Sequence, residues 1–182
     1  MRKLIVTEWV SLDGIFDAGL MAQWFNPYHS ESRGQSIKSV IDDCEIMLYG
    51  RKTYEMLYPY WSSLKNNEMG VAEKLNKVKK YVVSATMKDA PWENTTIVKG
   101  DIAAQIGALK EEGGGAILVQ GSGQLVQTLL KEGLVDSLKL LIQPHIMGTG
   151  ARLFEGVVDT GLACSEVRQL DNGVLAVTYT KK

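Results

Sequence analysis

Two six-residue runs carry the residue types that hold phosphate. The first, Gln120-Gly121-Ser122-Gly123-Gln124-Leu125, follows the apolar run Ala116–Val119 and opens a helical pattern. Two glycines let the main chain come close to an anion, and the free N–H groups of a helix start point toward it. The third glycine of a G-x-G-x-x-G dinucleotide fingerprint is missing. No acidic residue closes a strand about 20 residues on either, because that stretch is Leu140–Ile142. A tight strand-to-helix turn with no ligand reads equally well from this spacing. The second run, Gly50-Arg51-Lys52-Thr53-Tyr54-Glu55, again lies where an apolar run meets a helical one. Arg51 and Lys52 place two cations in a first helical turn, where the macrodipole disfavours positive charge unless an anion sits there. Thr53 adds a hydroxyl. Taken alone, this run also reads as two solvated cations on a surface turn. Its force is that it is the second such junction, since a dinucleotide needs phosphate contacts at more than one point.

Other reactive side chains are few. Cys44 and Cys164 are the only cysteines, His29 and His145 the only histidines, and there is no C-x-x-C pair. A structural zinc site takes about four such ligands in close pairs, so no metal site is expected. The two thiols are expected to be reduced and largely buried, Cys44 at the end of an apolar helical stripe, with a disulfide between them left open.

In chain order, these segments resemble a known family. Gly50-Arg51-Lys52-Thr53-Tyr54-Glu55 is similar to the Gly-Arg-x-Thr-Trp-Glu segment of dihydrofolate reductases. Val83-Ser84-Ala85-Thr86 resembles their next strand end, and Gly121-Ser122-Gly123 stands where they have paired glycines. The tail from Leu140 to Phe154, containing Gln143-Pro144-His145 and Gly148-Thr149-Gly150, resembles the reductase domain of bacterial riboflavin biosynthesis, the RibD C-terminal family. Ser11-Leu12-Asp13-Gly14 matches the same branch. The resemblance implies an NADPH-binding reductase of dihydrofolate-reductase-like fold. In that reading Arg51 holds the adenosine 2′-phosphate, with Lys52, Ser84 and Thr86 at the same rim. Gly50, Thr53 and the run Gln120, Gly121, Ser122, Gly123, Gln124 and Leu125 cradle the pyrophosphate. Thr7, Asp13 and Gly14 lie near the nicotinamide end. Folate reductases carry an acid five positions after a loop Trp; counting from Trp24 lands on His29, and Glu31 is the nearest carboxylate. Asp13, Glu31 and His29 are therefore the candidate catalytic groups. The expected reaction is hydride transfer to a C=N or C=O group of a small pteridine-, pyrimidine- or sugar-like substrate. The alternative is a module of the same fold that binds NADPH without turnover.

The elements that must position these residues follow from hydrophobic periodicity. Leu4–Val10 reads as a buried strand and Gly19–Gly34 as an irregular, aromatic loop broken by Pro27. Ser32 and Gln35 stand at capping-box spacing before a helix with Ile37, Val40, Ile41 and Cys44 on one face. A strand over Glu45–Tyr49 leads into a helix from Arg51 that Pro59 should stop. A helix through Val71, Leu75 and Val78 precedes strands at Tyr81–Val83 and Thr95–Val98. Asp101 caps a helix carrying Ile106 and Leu109, then a strand at Ala116–Val119 and a helix through Leu129 follow. Leu138–Ile146 reads as one long strand, with Pro144 implying an edge or bulge. Asp171-Asn172-Gly173 joins two last strands as a hairpin. The sum is α/β, with a mostly parallel sheet of about eight strands, flanking helices and an antiparallel C-terminal hairpin.

At 182 residues, the chain fits the roughly 150 residues of one domain, taken as 1–182. Twenty Lys+Arg against 21 Asp+Glu, a net charge of −1, give no field to attract nucleic acid or an anionic membrane. Glu8 interrupts the first apolar run, and no stretch nears the roughly 18 apolar residues of a membrane span, so a cytoplasmic protein acting on a small molecule is expected. Leu138–Ile142 reads either as interior sheet or as the subunit contact of a homodimer.

Overall fold

The computed structural model describes residues 1–157 and 159–182. Strand β1 (Leu4–Ser11) is followed by a one-turn helix α1 (Met21–Trp24) and by α2 (Glu31–Asp42). Then come β2 (Cys44–Gly50), α3 (Arg51–Ser63), α4 (Ala72–Lys77), β3 (Lys79–Val83) and β4 (Thr95–Val98). Helix α5 (Ile102–Glu111), β5 (Ala116–Val119), α6 (Gly123–Lys131) and β6 (Ser137–Gln143) complete the alternating part, and β7 (Leu162–Gln169) and β8 (Leu175–Lys181) close the chain. The strands form one eight-stranded sheet in the order β4-β3-β2-β5-β1-β6-β8-β7. Pairing is parallel from β4 to β6 and antiparallel at β6–β8 and β8–β7. This is the α/β architecture the periodicity predicts.

The sheet is covered on both faces, which is why its central strands read as near-continuous apolar runs. On one face Leu4, Val6 and Val10 pack with Ile106, Leu109, Leu125 and Leu129 of α5 and α6. On the other, Met47, Tyr49, Val82 and Leu118 pack with Ile41, Tyr54 and Leu75 of α2, α3 and α4. Because β2, β5 and β1 are parallel neighbours, their C-terminal ends lie side by side. The loops that leave them share one crest, the usual place for a ligand in such sheets.

Several sequence expectations are corrected. Helix α2 is capped by Ser30, whose hydroxyl accepts from the Arg33 N–H at 3.2 Å; Ser32 instead donates to Asp171 at 2.7 Å. Pro59 does not stop α3, which runs on to Ser63. A proline forfeits one backbone bond, and here the last turn is retained by Trp61, whose carbonyl accepts from Asn76 Nδ2 at 3.0 Å. Strand β6 ends at Gln143, before Pro144, and is interior, paired with β1 and β8, so Leu138–Ile142 is interior sheet. Cys44 begins β2 rather than ending a helix. It is buried and free, whereas Cys164 is free but exposed on β7. Among the described residues no helix is long and apolar enough to cross a membrane. No group of 3 or more His, Cys, Asp or Glu is placed to hold a metal ion either.

Candidate active site

The two phosphate-type junctions touch. Strands β2 and β5 are paired, and the Gly50 N–H donates to the Gly121 carbonyl at 3.0 Å. A Cβ built on Gly50 would lie 2.3 Å from Ser122 Oγ and 2.9 Å from Ser122 N, and one on Gly121 would lie 2.4 Å from Thr53 Oγ1. Gly121 also has φ +60°, in the region that favours glycine. Both positions are therefore glycine because the two turns interlock there. Neither helix that starts at this point has a side-chain cap: the N-caps are Gly50 for α3 and Ser122 for α6, and neither side chain accepts an N–H. Two sets of first-turn donors, with Lys52 among them, thus face one cleft. That cleft has a volume of about 560 Å³ and runs from Lys52, Thr53 and Gln120–Gln124 to Phe16, Trp24 and Arg152.

At the floor of the same cleft lies Glu8. It falls on the inward register of β1 with Leu4, Val6 and Val10, and it is 3% exposed. The Gly121 N–H donates to its Oε1 at 2.6 Å. Oε2 has no hydrogen-bond partner among the described residues. Burial pushes the carboxyl up from 4.5 to about 8, against the opposing pull of the Gly121 N–H. Burial thus favours the protonated form of Glu8. The sequence showed it only as a break in an apolar run. The signal that points to it is a lone carboxylate on the buried phase of a two-residue period, ending at the crest of a parallel sheet.

A second cavity of about 430 Å³ opens beside the first, between α2 and α3. Trp9, Leu57 and Gln120 line both. Its walls are largely apolar (Phe25, Ile37, Ile41, Trp61, Leu75), and its charged lining consists of Arg33 and Lys38. The Trp9 and Phe25 rings stack with centroids 4.4 Å apart at the mouth.

The structure sorts the expected residues. Lys52, Thr53, Gln120, Gly121, Ser122, Gly123 and Gln124 line the cleft. Gly123 differs from Gly121: its Cβ would meet Phe16 at 3.5 Å, an ordinary contact, so the backbone does not require glycine there. Leu125 does not line it, because its side chain belongs to the core. Thr7 points to the other face of β1, toward Val40 and Lys139. Arg51 is half-buried and held by Glu55, at 3.1 and 2.8 Å. Ser84 follows Val83, which is in register with Gly50; its hydroxyl accepts from Thr86 N and Met87 N, which makes it a turn-former, while Thr86 is exposed.

The three candidate catalytic groups fare differently from the glycines. Asp13 laces loops: one oxygen accepts from Ser11 Oγ at 2.6 Å and Met147 N at 3.1 Å, the other from Gly148 N at 2.8 Å. These bonds, Ser11 first, hold its carboxyl well below the usual range, so it has no proton to give. Gly14, with φ +81°, completes that turn by accepting from Leu153 N. Glu31 is exposed in the first turn of α2 and accepts from Gln35 Nε2 at 3.0 Å, lining neither cavity. His29 is exposed at the rim of the second cavity, with Nδ1 3.5 Å from Arg33 Nη2.

A mostly parallel sheet with an antiparallel C-terminal pair, and a cleft over the crest of β2, β5 and β1, defines a dihydrofolate-reductase-like α/β fold. Residues 2–176 match the RibD C-terminal domain family, and the chain belongs to that family. The Bacillus subtilis (strain 168) protein YyaP, uncharacterised by name, is 30% identical over 187 residues, covering 98% of this chain and 94% of YyaP. Among solved structures, a Shewanella sp. PV-4 protein whose name assigns it to riboflavin biosynthesis superposes with TM-score 0.77 at 22% identity, over 100% of this chain and 99% of that one. The Thermotoga maritima diaminohydroxyphosphoribosylaminopyrimidine deaminase/5-amino-6-(5-phosphoribosylamino)uracil reductase gives TM-score 0.71 at 15% identity, covering 100% of this chain and 57% of that longer one.

Proposed function

We propose that this protein is a cytoplasmic NADPH-dependent reductase that adds hydride and a proton across a C=N or C=O bond of a small cyclic substrate. The observation that carries this reading is the interlock, through Gly50 and Gly121, of two helix starts whose N-caps, Gly50 and Ser122, make no side-chain cap bond, beside a buried acid. The residues fit the cofactor. The amides of Gly121–Gln124 and the Thr53 hydroxyl would hold its pyrophosphate. Arg51, with Thr86 on the next strand end, would hold the 2′-phosphate. When bound, NADPH supplies the hydride. The chain supplies the proton: Glu8 presents it on Oε2 while Oε1 stays fixed on the Gly121 N–H, which also stabilises the carboxylate left behind. Trp9, Phe16 and Trp24 give the cleft apolar walls, which would limit water around the reacting atoms. This acid also favours turnover over the non-catalytic alternative, in which Glu8 would serve only to anchor the Gly121 turn.

The cofactor assignment is tested at Arg51. Its pair with Glu55 leaves the two side chains 41% and 50% exposed. Exposed i,i+4 pairs of this kind contribute about 0.3–0.5 kcal/mol. Exchange for a phosphate dianion is therefore favourable, and NADPH should bind about 10- to 150-fold tighter than NADH. Arg51→Ala should remove most of that preference and leave NADH affinity nearly unchanged in fluorescence titrations. Equal losses for both cofactors would place Arg51 away from the 2′-phosphate.

Dihydrofolate is expected to be a poor substrate. A pterin's amino-pyrimidine edge needs a carboxylate acceptor, and no Asp or Glu lines the second cavity, where Arg33 offers donors instead. Its kcat/KM should fall orders of magnitude below the roughly 10⁴–10⁸ M⁻¹s⁻¹ of enzymes on their own substrates. Steady-state oxidation of NADPH measures this, and rapid dihydrofolate turnover would refute it.

A further inference from the structure

The second cavity holds a cation without a counter-ion. Arg33 sits in the first turn of α2 and is 4% exposed, yet it makes no ion pair among the described residues. Nη1 donates to the Phe25 carbonyl at 2.5 Å, and Nη2 lies 3.5 Å from His29 Nδ1. The guanidinium carbon stands 3.9 Å from the centroid of the Phe25 ring, which in turn stacks on Trp9. A guanidinium has five N–H donors, so these contacts leave part of the fork unused. Burying a charge without a partner is costly, and such cations are normally neutralised. Among the described residues no carboxylate neutralises it: the cavity lining contains none, and its other cation, Lys38, is engaged with Asp42.

The walls describe the rest of the occupant. Trp9, Phe25 and Trp61 bring flat faces, while Ile37, Ile41 and Leu57 bring aliphatic ones. That largely apolar lining, with Asn26, His29 and Gln120 as its neutral polar groups, suits a ring system. Trp9, Leu57 and Gln120 connect the cavity to the cleft above Glu8, so a ring seated here reaches the place where hydride and proton would be delivered.

We propose that this cavity is the substrate subsite, and that it takes a flat apolar ring bearing a carboxylate, whose charge is met by the free edge of Arg33. The claim that the occupant is the reducible substrate rests on the reductase reading above; the recognition itself does not. A carboxylate can accept two parallel N–H bonds from the guanidinium, a geometry that a Lys or a neutral donor does not reproduce. The three roles of Arg33 are then compatible: the Phe25 carbonyl and ring orient the fork, and the outer edge binds.

The test uses the full-length protein without cofactor and two nearly isosteric probes, 2-naphthoate and 2-naphthamide, followed by tryptophan fluorescence and calorimetry. The carboxylate is expected to bind at least about tenfold tighter than the amide, as for a charge-assisted hydrogen bond. Arg33→Met should bring the two to equal affinity, and Ile37→Trp, which fills the cavity while leaving Arg33 in place, should remove binding of both. Equal affinities of acid and amide for the unaltered protein would overturn the proposal even if Arg33→Met fails to fold. Retained preference for the acid in a folded Ile37→Trp protein would place the anion site elsewhere and overturn it as well. A parallel NADPH titration separates the two ideas: loss of NADPH binding with preserved acid preference sinks the reductase reading and leaves the subsite, and the reverse result does the opposite.

Discussion

Glu8→Gln is expected to lower kcat by about 10²- to 10⁴-fold, the usual contribution of a positioned proton donor, with NADPH affinity little changed. The amide oxygen of Gln still accepts from the Gly121 N–H, so the turn proposed to bind phosphate keeps its anchor and only the acidic proton is lost. The unaltered enzyme should lose activity as pH rises through about 8, where Glu8 deprotonates, and the variant should lack that limb. An independent readout comes from linkage. Folding takes up a proton between the ordinary carboxyl value of 4.5 and about 8. The stability that goes with protonated Glu8 is thus fully present below 4.5 and is lost as pH rises toward about 8. Gln does not titrate. The melting temperature of Glu8→Gln relative to the parent should therefore climb across that window and level off above it. A parent whose rate and relative stability are both flat from pH 5 to about 9 would remove Glu8 from the proton-donor role.

Gly50→Ala should separate the two junctions. Its new Cβ would stand 2.3 Å from Ser122 Oγ, which can rotate, but also 2.9 Å from Ser122 N, which is backbone and cannot. The strand ends must part by several tenths of an ångström. Forced overpacking of this kind costs about 1–3 kcal/mol in stability. The larger effect falls on the cofactor, since contacts from α3 and α6 can no longer meet one ligand together; loss of a single charge-assisted bond already weakens binding by about 10- to 150-fold. Gly123→Ala is the control, because its Cβ finds an ordinary 3.5 Å contact with Phe16. Thermal melts read the first effect and NADPH titration the second. A Gly50→Ala protein that binds NADPH as the parent does would dissolve the shared cradle.

The sheet and its crest were legible in the chain because their signals are local. Alternating runs of strand and helix, with β-branched residues in the strands, specify a parallel α/β sheet whatever the neighbours are. The turn glycines were legible for a related reason: a strand that must turn at once into a helix shows it in composition. Capping was less legible. Ser30 and Ser32 are both plausible caps by spacing, and the structure chose Ser30 because Ser32 is drawn to Asp171, 139 positions away.

The site divides along the same line. By itself the sequence determined the fold and the two glycine-bearing strand-to-helix junctions, all of which depend on residues close together in the chain. Tertiary structure alone decided which acid could act. Asp13, Glu31 and His29 are chemically suited, yet Asp13 is occupied by Ser11, Met147 and Gly148, Glu31 faces solvent, and His29 stands at a rim. Glu8 is the acid we propose for that role, because strand β5 brings the Gly121 N–H to it from 113 residues away and the surrounding core buries it. The same holds for Arg33, a surface-type residue by pattern that the Phe25 loop turns into a buried cation. Proton affinity and charge burial are set by desolvation and by partners distant in sequence, and no local pattern encodes either.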